Sequence, residues 1–439
     1  MRRTTFFMVP LTISLFSSML LTLLVPRVPA PNPTTWHVPG DFPSIQAAID
    51  AASSNDTIIV APGIYYEHLS IQHKNNLTII GEDPATTIID GSQTGSIIYL
   101  SGSNEIAITG FIMQNAIYGV NMVQSGNCTI GSSVINASTE NPFFPAAAIT
   151  MSESSDNRIT NNTLTSNNGY GIRNTIDSNE NTIANNTVAD NKHGISIESS
   201  MNATLTNNSL TGNTYNFGVQ GAYTHEFIHN IDTSNAIEGK PIFYLISQAD
   251  LTISPATFPS LGYLAIVNSN NVTVENIDMS DNLQGVLLVN TTDSLVRDTN
   301  LLNNFCGIEL RRSSFNSVEN NEVEANQEEQ TALFLIRAEY NSITNNKITS
   351  NHKGIYMLDY STNNTIAQNT ISDNWYGMHI QGFSSGNTLY HNNLVNNTEQ
   401  VSNSWSNNTW DNGYPSGGNH WSDYAGEDQN GDGIGDTPY

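Results

Sequence analysis

Asparagine recurs in this chain at a spacing that leaves few folds open. The unit is Asn, an apolar residue at +2, Asn at +5, apolar at +7 and Asn at +10, often followed near +13 by Gly and an apolar residue. It reads Asn157, Ile159, Asn162, Leu164, Asn167, and again Asn181, Ile183, Asn186, Val188, Asn191 with Gly194-Ile195. Further copies begin at Asn316, Asn341, Asn364 and Asn387, and degenerate ones end at Asn213, Asn282 and Asn304. The +10 asparagines are 22 to 25 residues apart. The 69-residue gap between Asn213 and Asn282 is close to three such steps, with Asn235 marking a hidden one.

Apolar residues two apart are alternate positions of a strand, not one face of a helix. Each run is too short for a helix. Asn and Gly between the runs tolerate the left-handed backbone that sharp corners need. The spacing therefore predicts coils of short strands, stacked in parallel about 4.8 Å apart around a column of Ile, Leu and Val. This is an all-β, right-handed, single-stranded parallel β-helix. The corner asparagines are expected to stack and bond neighbouring backbone, a structural role. Leucine-rich repeats would need a Leu signature with a helical back segment, and a propeller blade needs 40 or more residues.

The ends differ from the middle. Arg2 and Arg3, the apolar stretch Leu11–Val25 and Val28-Pro29-Ala30 read as a cleavable signal peptide over residues 1–30, an uncleaved N-terminal anchor being the alternative. Residues 31–100 hold the N-terminal cap and first coils. Asp41-Phe42-Pro43-Ser44 opens a short capping helix, with Pro43 near its first position and Asp41 or Ser44 as the cap. Ile45, Ala48, Ile49 and Ala52 share its apolar face. Coils continue over 101–400, interrupted by an excursion at 236–262, and residues 401–439 form a C-terminal cap. Cys128 and Cys306 are read as two free thiols. Against 40 Asp+Glu there are only 14 Lys+Arg, for a net charge of −26, so no basic face exists for nucleic acid. No second apolar run follows the leader, so stable membrane insertion after cleavage is not expected, and a monomer is.

The segments Asp41–Asp50, Ile58–Tyr65 and Leu77–Gly81 resemble the opening of pectin-lyase-like β-helices. The Asn-rich coils, Gly239-Lys240-Pro241, Gly418–Tyr424 and Asp428–Tyr439 resemble NosD-type β-helix proteins of archaea and bacteria. Together the resemblance spans nearly all of the chain beyond the leader. It implies a secreted or periplasmic location. The group's named member is an accessory in copper-centre assembly of nitrous oxide reductase, and many relatives carry carbohydrate-binding and sugar-hydrolase repeats. The paired Asp and Arg motifs of pectin methylesterases are missing.

Three sets of residues could carry chemistry. Asp428, Asn430 and Asp432 with Gly433, the Ile434 carbonyl and Asp436 match the first part of a calcium loop, without the Glu that closes an EF-hand; structural calcium is expected there. Aligning Gly194, Gly285, Gly307, Gly354 and Gly377 puts Glu309, Tyr356 and His379 outward on one face. They are the candidates for catalysis if the chain is a polysaccharide lyase or glycoside hydrolase. Trp375, Tyr376, Trp405, Trp410, Trp421 and Tyr424 are candidates to stack on sugar rings or to cap the open end of the core. No His-x-His, Met-x-x-Met or Cys-x-x-Cys supports copper, which stays an implication of the resemblance. The reading that joins these points is a secreted or cell-envelope protein that binds polysaccharide or surface glycan without cleaving it.

Overall fold

The computed structural model describes residues 32–137, 139, 145–324, 330–432, 434–437 and 439; the leader lies outside them. The fold is the parallel β-helix that the Asn spacing predicts. Strands from successive coils pair in register: Ile130 on Ile159, Ile159 on Ile183, and Ile183 on Leu205. The helix at Ile45–Ala51 covers the first coil with buried Ile45, Ala48 and Ile49. Ser44 is its cap, accepting from the Ala47 N–H at 3.2 Å. Asp41 instead accepts from the His37 N–H at 2.8 Å, and Pro43 precedes the cap.

Asparagine ladders run at three corners of the coil. In the second ladder the Asn346 N–H and side-chain amide both donate to Asn369 Oδ1 at 2.9 Å. Asn369 Nδ2 in turn donates to the Ile343 carbonyl and to Asn392 Oδ1. These side chains are buried. A primary amide both donates and accepts, so each asparagine repeats in the next coil the bonds it receives. Asn235 marks a coil in the gap, but it continues the second ladder from Asn208 and not the +10 ladder of Asn213 from which its spacing was counted.

The helix is built in two halves. Residues 236–262 are not an excursion. Ala236–Ile237 pairs antiparallel with Lys240–Pro241, and Gly239 makes the reversal at φ 75°. Lys240–Ile246 then pairs parallel with Tyr263–Val267, and Ala249–Ile253 with Asn270–Glu275, so this segment is the first coil of the second half. Strands Tyr263–Val267 and Gln284–Val289 are buried on both faces. Leu264, Ile266, Val286 and Leu288 belong to the second core. Tyr263, Ala265, Val267, Leu287 and Val289 belong to the first. One sheet thus closes the end of the first half with its outer face while lining the second half with its inner face.

Both cysteines are free and buried. Burial raises the Cys128 thiol to about 11 and lifts Cys306 well above its ordinary value, so neither is a thiolate near neutral pH.

Candidate functional site

The outer face of the second half's main sheet emerges from the first core strand by strand. In register, one outward position runs Leu287, Glu309, Phe334, Tyr356, His379. Leu287 is in the first core. Glu309 lies at its edge, bonded to Arg311 at 2.7 Å and reached by Gln284 Nε2 at 3.2 Å. The Arg311 guanidinium sits 5.7 Å from the Phe227 ring of the first half. Beyond this buried pair the face opens into a cleft of about 630 Å³ between the halves. Its walls include Ser199 and Gln220 on one side and Phe334, Lys353 and Tyr356 on the other.

Rings cover that wall. Phe334 and Tyr356 stack with centroids 4.9 Å apart and 6° between planes, and His379 follows Tyr356 at 5.0 Å. Parallel rings touch at about 3.5–4.0 Å, so a longer centroid distance means an offset stack with part of each ring face uncovered. Lys353 places its ammonium 5.0 Å from the Tyr356 ring. Gln381 bonds both the Tyr356 hydroxyl and His379 Nε2, while His379 Nδ1 is buried without a partner. Burial, with Lys353 nearby, lowers the His379 pKa, so its ring is neutral at neutral pH. Burial, with Asp359 nearby, raises that of Tyr356.

The three candidates Glu309, Tyr356 and His379 therefore share one ladder. Phe334 stands between Glu309 and Tyr356, however, and the Glu309 carboxylate is already bonded. Of the aromatic candidates, Trp375 and Tyr376 lie on this wall, 6.4 Å and 5.7 Å from the His352 ring. Trp410 and Trp421 pack against the second core, and Trp421 stacks on Tyr439 at 4.3 Å. Those two rings cap the column and also line a second cavity of about 1180 Å³, which Tyr424 borders. Trp405 stands alone and 83% exposed.

Sequence reasoning missed an aromatic corner beside the wall. Phe315 stacks on Tyr340, and Tyr360 on Phe383, all exposed and all at φ between 56° and 62°. The same corner in earlier coils holds Asn268, Asn290, Asn271 and Asp293, which tolerate that backbone better. A bulky ring where Asn would be easier is the signal that was available.

In the C-terminal loop, Asp428 Oδ1 accepts from the Gly431 and Asp432 N–H groups, Asp432 Oδ1 from Ile434 and Asp436 Oδ2 from Gln429. Asn430 Oδ1 accepts from the Asp432 N–H at 2.9 Å. Gly433 is outside the described residues.

A parallel β-helix with a ring-lined lateral cleft is thus the class of protein. The family described as "Periplasmic copper-binding protein (NosD)" matches residues 49–242 and 233–426, and the chain belongs to it. No curated protein matches in sequence. Among solved structures, an Azotobacter vinelandii mannuronan C-5 epimerase AlgE6 A-module is 14% identical, covering 83% of this chain and 94% of that one, with a TM-score of 0.29. A PL6 alginate lyase is 14% identical over 86% and 84%, TM-score 0.31. PfbA, a surface adhesin of Streptococcus pneumoniae, is 12% identical over 75% and 86%, TM-score 0.34. Likeness at this level says nothing about ligand or activity.

The family's description names copper. Among the described residues no three His, Cys, Asp or Glu side chains come together to hold a metal ion. Met357 and Met378 are core residues and the two thiols are buried in different halves. No helix among the described residues is long and apolar enough to cross a membrane.

Proposed function

We propose that this protein acts outside the cytoplasm by binding polysaccharide or surface glycan, without cleaving it, in the cleft between its two halves. The observation that carries this reading is the offset ladder Phe334–Tyr356–His379 on an open wall, with Lys353 and Gln381 beside it. Partly uncovered ring faces next to hydrogen-bonding groups are what sugar rings require: apolar C–H faces stack and hydroxyls bond. A neutral His379 and a Tyr hydroxyl present both donors and acceptors. The loop Asp428–Asp436 is proposed to take calcium through Asp428, Asn430, Asp432, Asp436 and the Ile434 carbonyl, holding the C-terminal cap in place.

A glycan array on the full chain, with and without calcium, tests the reading. At least one polysaccharide should bind, and Tyr356→Ala should weaken it tenfold or more with an unchanged melting temperature. An array with no binding at all would reject the function. Binding indifferent to Tyr356→Ala would reject the site.

A further inference from the structure

The wall does not end at the junction. On the first half, Tyr170 stacks on His193 with centroids 4.4 Å apart and 13° between planes, and His193 leans on Tyr215 at 5.3 Å. Tyr215 meets Phe305 of the second half edge-on at 5.7 Å, and its hydroxyl accepts from Gln330 at 2.6 Å. Phe305, Gln330, His352 and Trp375 each precede a residue of one paired register, Cys306, Thr331, Lys353 and Tyr376, so they form one column. A row of six rings and Gln330 therefore crosses from one half to the other over seven levels, with Tyr215 and Gln330 buried at the joint. At about 4.8 Å per coil the row spans roughly 30 Å, the length of about six sugar rings, with accessible rings on either side of the buried joint.

Charge along the row is as uneven as the rings. The chain has eleven Lys and Arg beyond residue 31. Six lie on or beside this row: Arg173 over the Tyr170 ring, Lys192 next to His193, Arg311, Arg337 and Lys353 in the cleft, and Arg312 at its rim. Glu198, Glu309 and Asp359 accompany them, each bonded to an arginine. Glu399 stands at the far end, paired in register with Tyr376. In a chain of net charge −26, gathering the cations here makes this row less repulsive to an anion than the overall charge implies, even with Asp281 beside Tyr215.

Resting on the glycan-binding reading, we infer that the ligand is a linear polysaccharide bearing carboxylate or sulfate groups, laid lengthwise across the junction so that both halves hold it. Calorimetric titration of the full chain tests this with a polyuronate, its methyl ester, a sulfated glycan and a neutral β-glucan, plus polyuronate trimer and heptamer. The charged polymers should bind at least tenfold tighter than the ester and the neutral chain, and weaken with added salt. The polyuronate and sulfated arms tell which acid group is preferred. The heptamer should exceed the trimer at least tenfold. Lys192→Gln on the first half and Lys353→Gln on the second, both surface changes, should each weaken the heptamer several-fold. Equal binding of charged and neutral chains would overturn the anionic class and leave glycan binding standing. A trimer as tight as the heptamer, or a heptamer indifferent to Lys192→Gln, would overturn the lengthwise placement. Failure of every glycan would reject both this and the function it rests on.

Discussion

Replacing Asn369 tests whether the asparagine ladders hold the coils together. The residue is fully buried, and its side chain takes part in four hydrogen bonds, each 2.9 Å long: it accepts from the Asn346 N–H and side-chain amide and donates to the Ile343 carbonyl and to Asn392 Oδ1. Asn369→Ala strands the Asn346 N–H and one hydrogen of the Asn346 side-chain amide in the interior, while the Ile343 carbonyl keeps its strand partner in the next coil. A buried polar group left unpaired costs about 1–3 kcal/mol, so the loss should be about 4 kcal/mol for the two. Asn369→Ser should cost about half of that. At an equivalent ladder position Ser294 Oγ accepts from the Val272 N–H at 2.9 Å, so a serine hydroxyl can serve the backbone donor and leave only the Asn346 amide hydrogen unserved. The assay is urea unfolding of the full chain, paired with amide hydrogen exchange at Asn346 because a stacked solenoid can open locally. The expected order is wild type, then Ser, then Ala, with Asn346 protection falling most in the alanine variant. An alanine variant within 1 kcal/mol of wild type, or equal to the serine variant, would refute the reasoning.

Three other outcomes follow from the same geometry. Arg311→Met should destabilise the protein by about 3 kcal/mol, because it leaves Glu309 buried without its partner; Glu309→Leu combined with Arg311→Met should recover most of the loss in the same urea melt. Burial, with Lys192 nearby, holds His193 at about 4, and burial holds His229 at about 4 as well. Both are depressed below the unfolded value, so the unfolded chain takes up protons first. Melting temperature should fall as pH drops from about 6.5 toward 4, and that part of the slope should vanish in the His193→Gln, His229→Gln double variant. Millimolar calcium should raise the melting temperature of the wild type but not of Asp428→Ala with Asp432→Ala; an equal calcium response in both would remove calcium from the loop.

The coils were legible because their physics is local. Short alternating runs and Asn at corners say "strand, turn, strand" within a few residues of sequence. The joint was not, because it rests on two residues, Ala236 and Ile237, turning back on Lys240 and Pro241. Its trace lay elsewhere. Tyr263–Val267 and Gln284–Val289 carry scarcely any alternation, which is the mark of a strand covered on both faces. Tyr356 and His379 were placed outward correctly because Gly354 and Gly377 align their coils. Phe334, one coil before Tyr356, was missed because its coil has Ala332 where the others have Gly. The aromatic corner was missed because left-handed positions were assigned to Asn and Gly alone, while Phe315, Tyr340, Tyr360 and Phe383 occupy them too.

The missed joint and the found ladder explain each other. A uniform solenoid gives each outward column the same surroundings in every coil, solvent on one side and sheet on the other. Here the column Leu287, Glu309, Phe334, Tyr356, His379 begins inside another half's core and ends in the open. Its residue types follow that gradient: an aliphatic where water is absent, a charge that must be paired where water is scarce, then rings with polar edges where water enters. A ligand that must exchange water for ring faces finds such a gradient only where two solenoid segments meet at an offset. The antiparallel turn at Gly239 is therefore what makes a binding cleft out of a surface that coil stacking alone would leave flat.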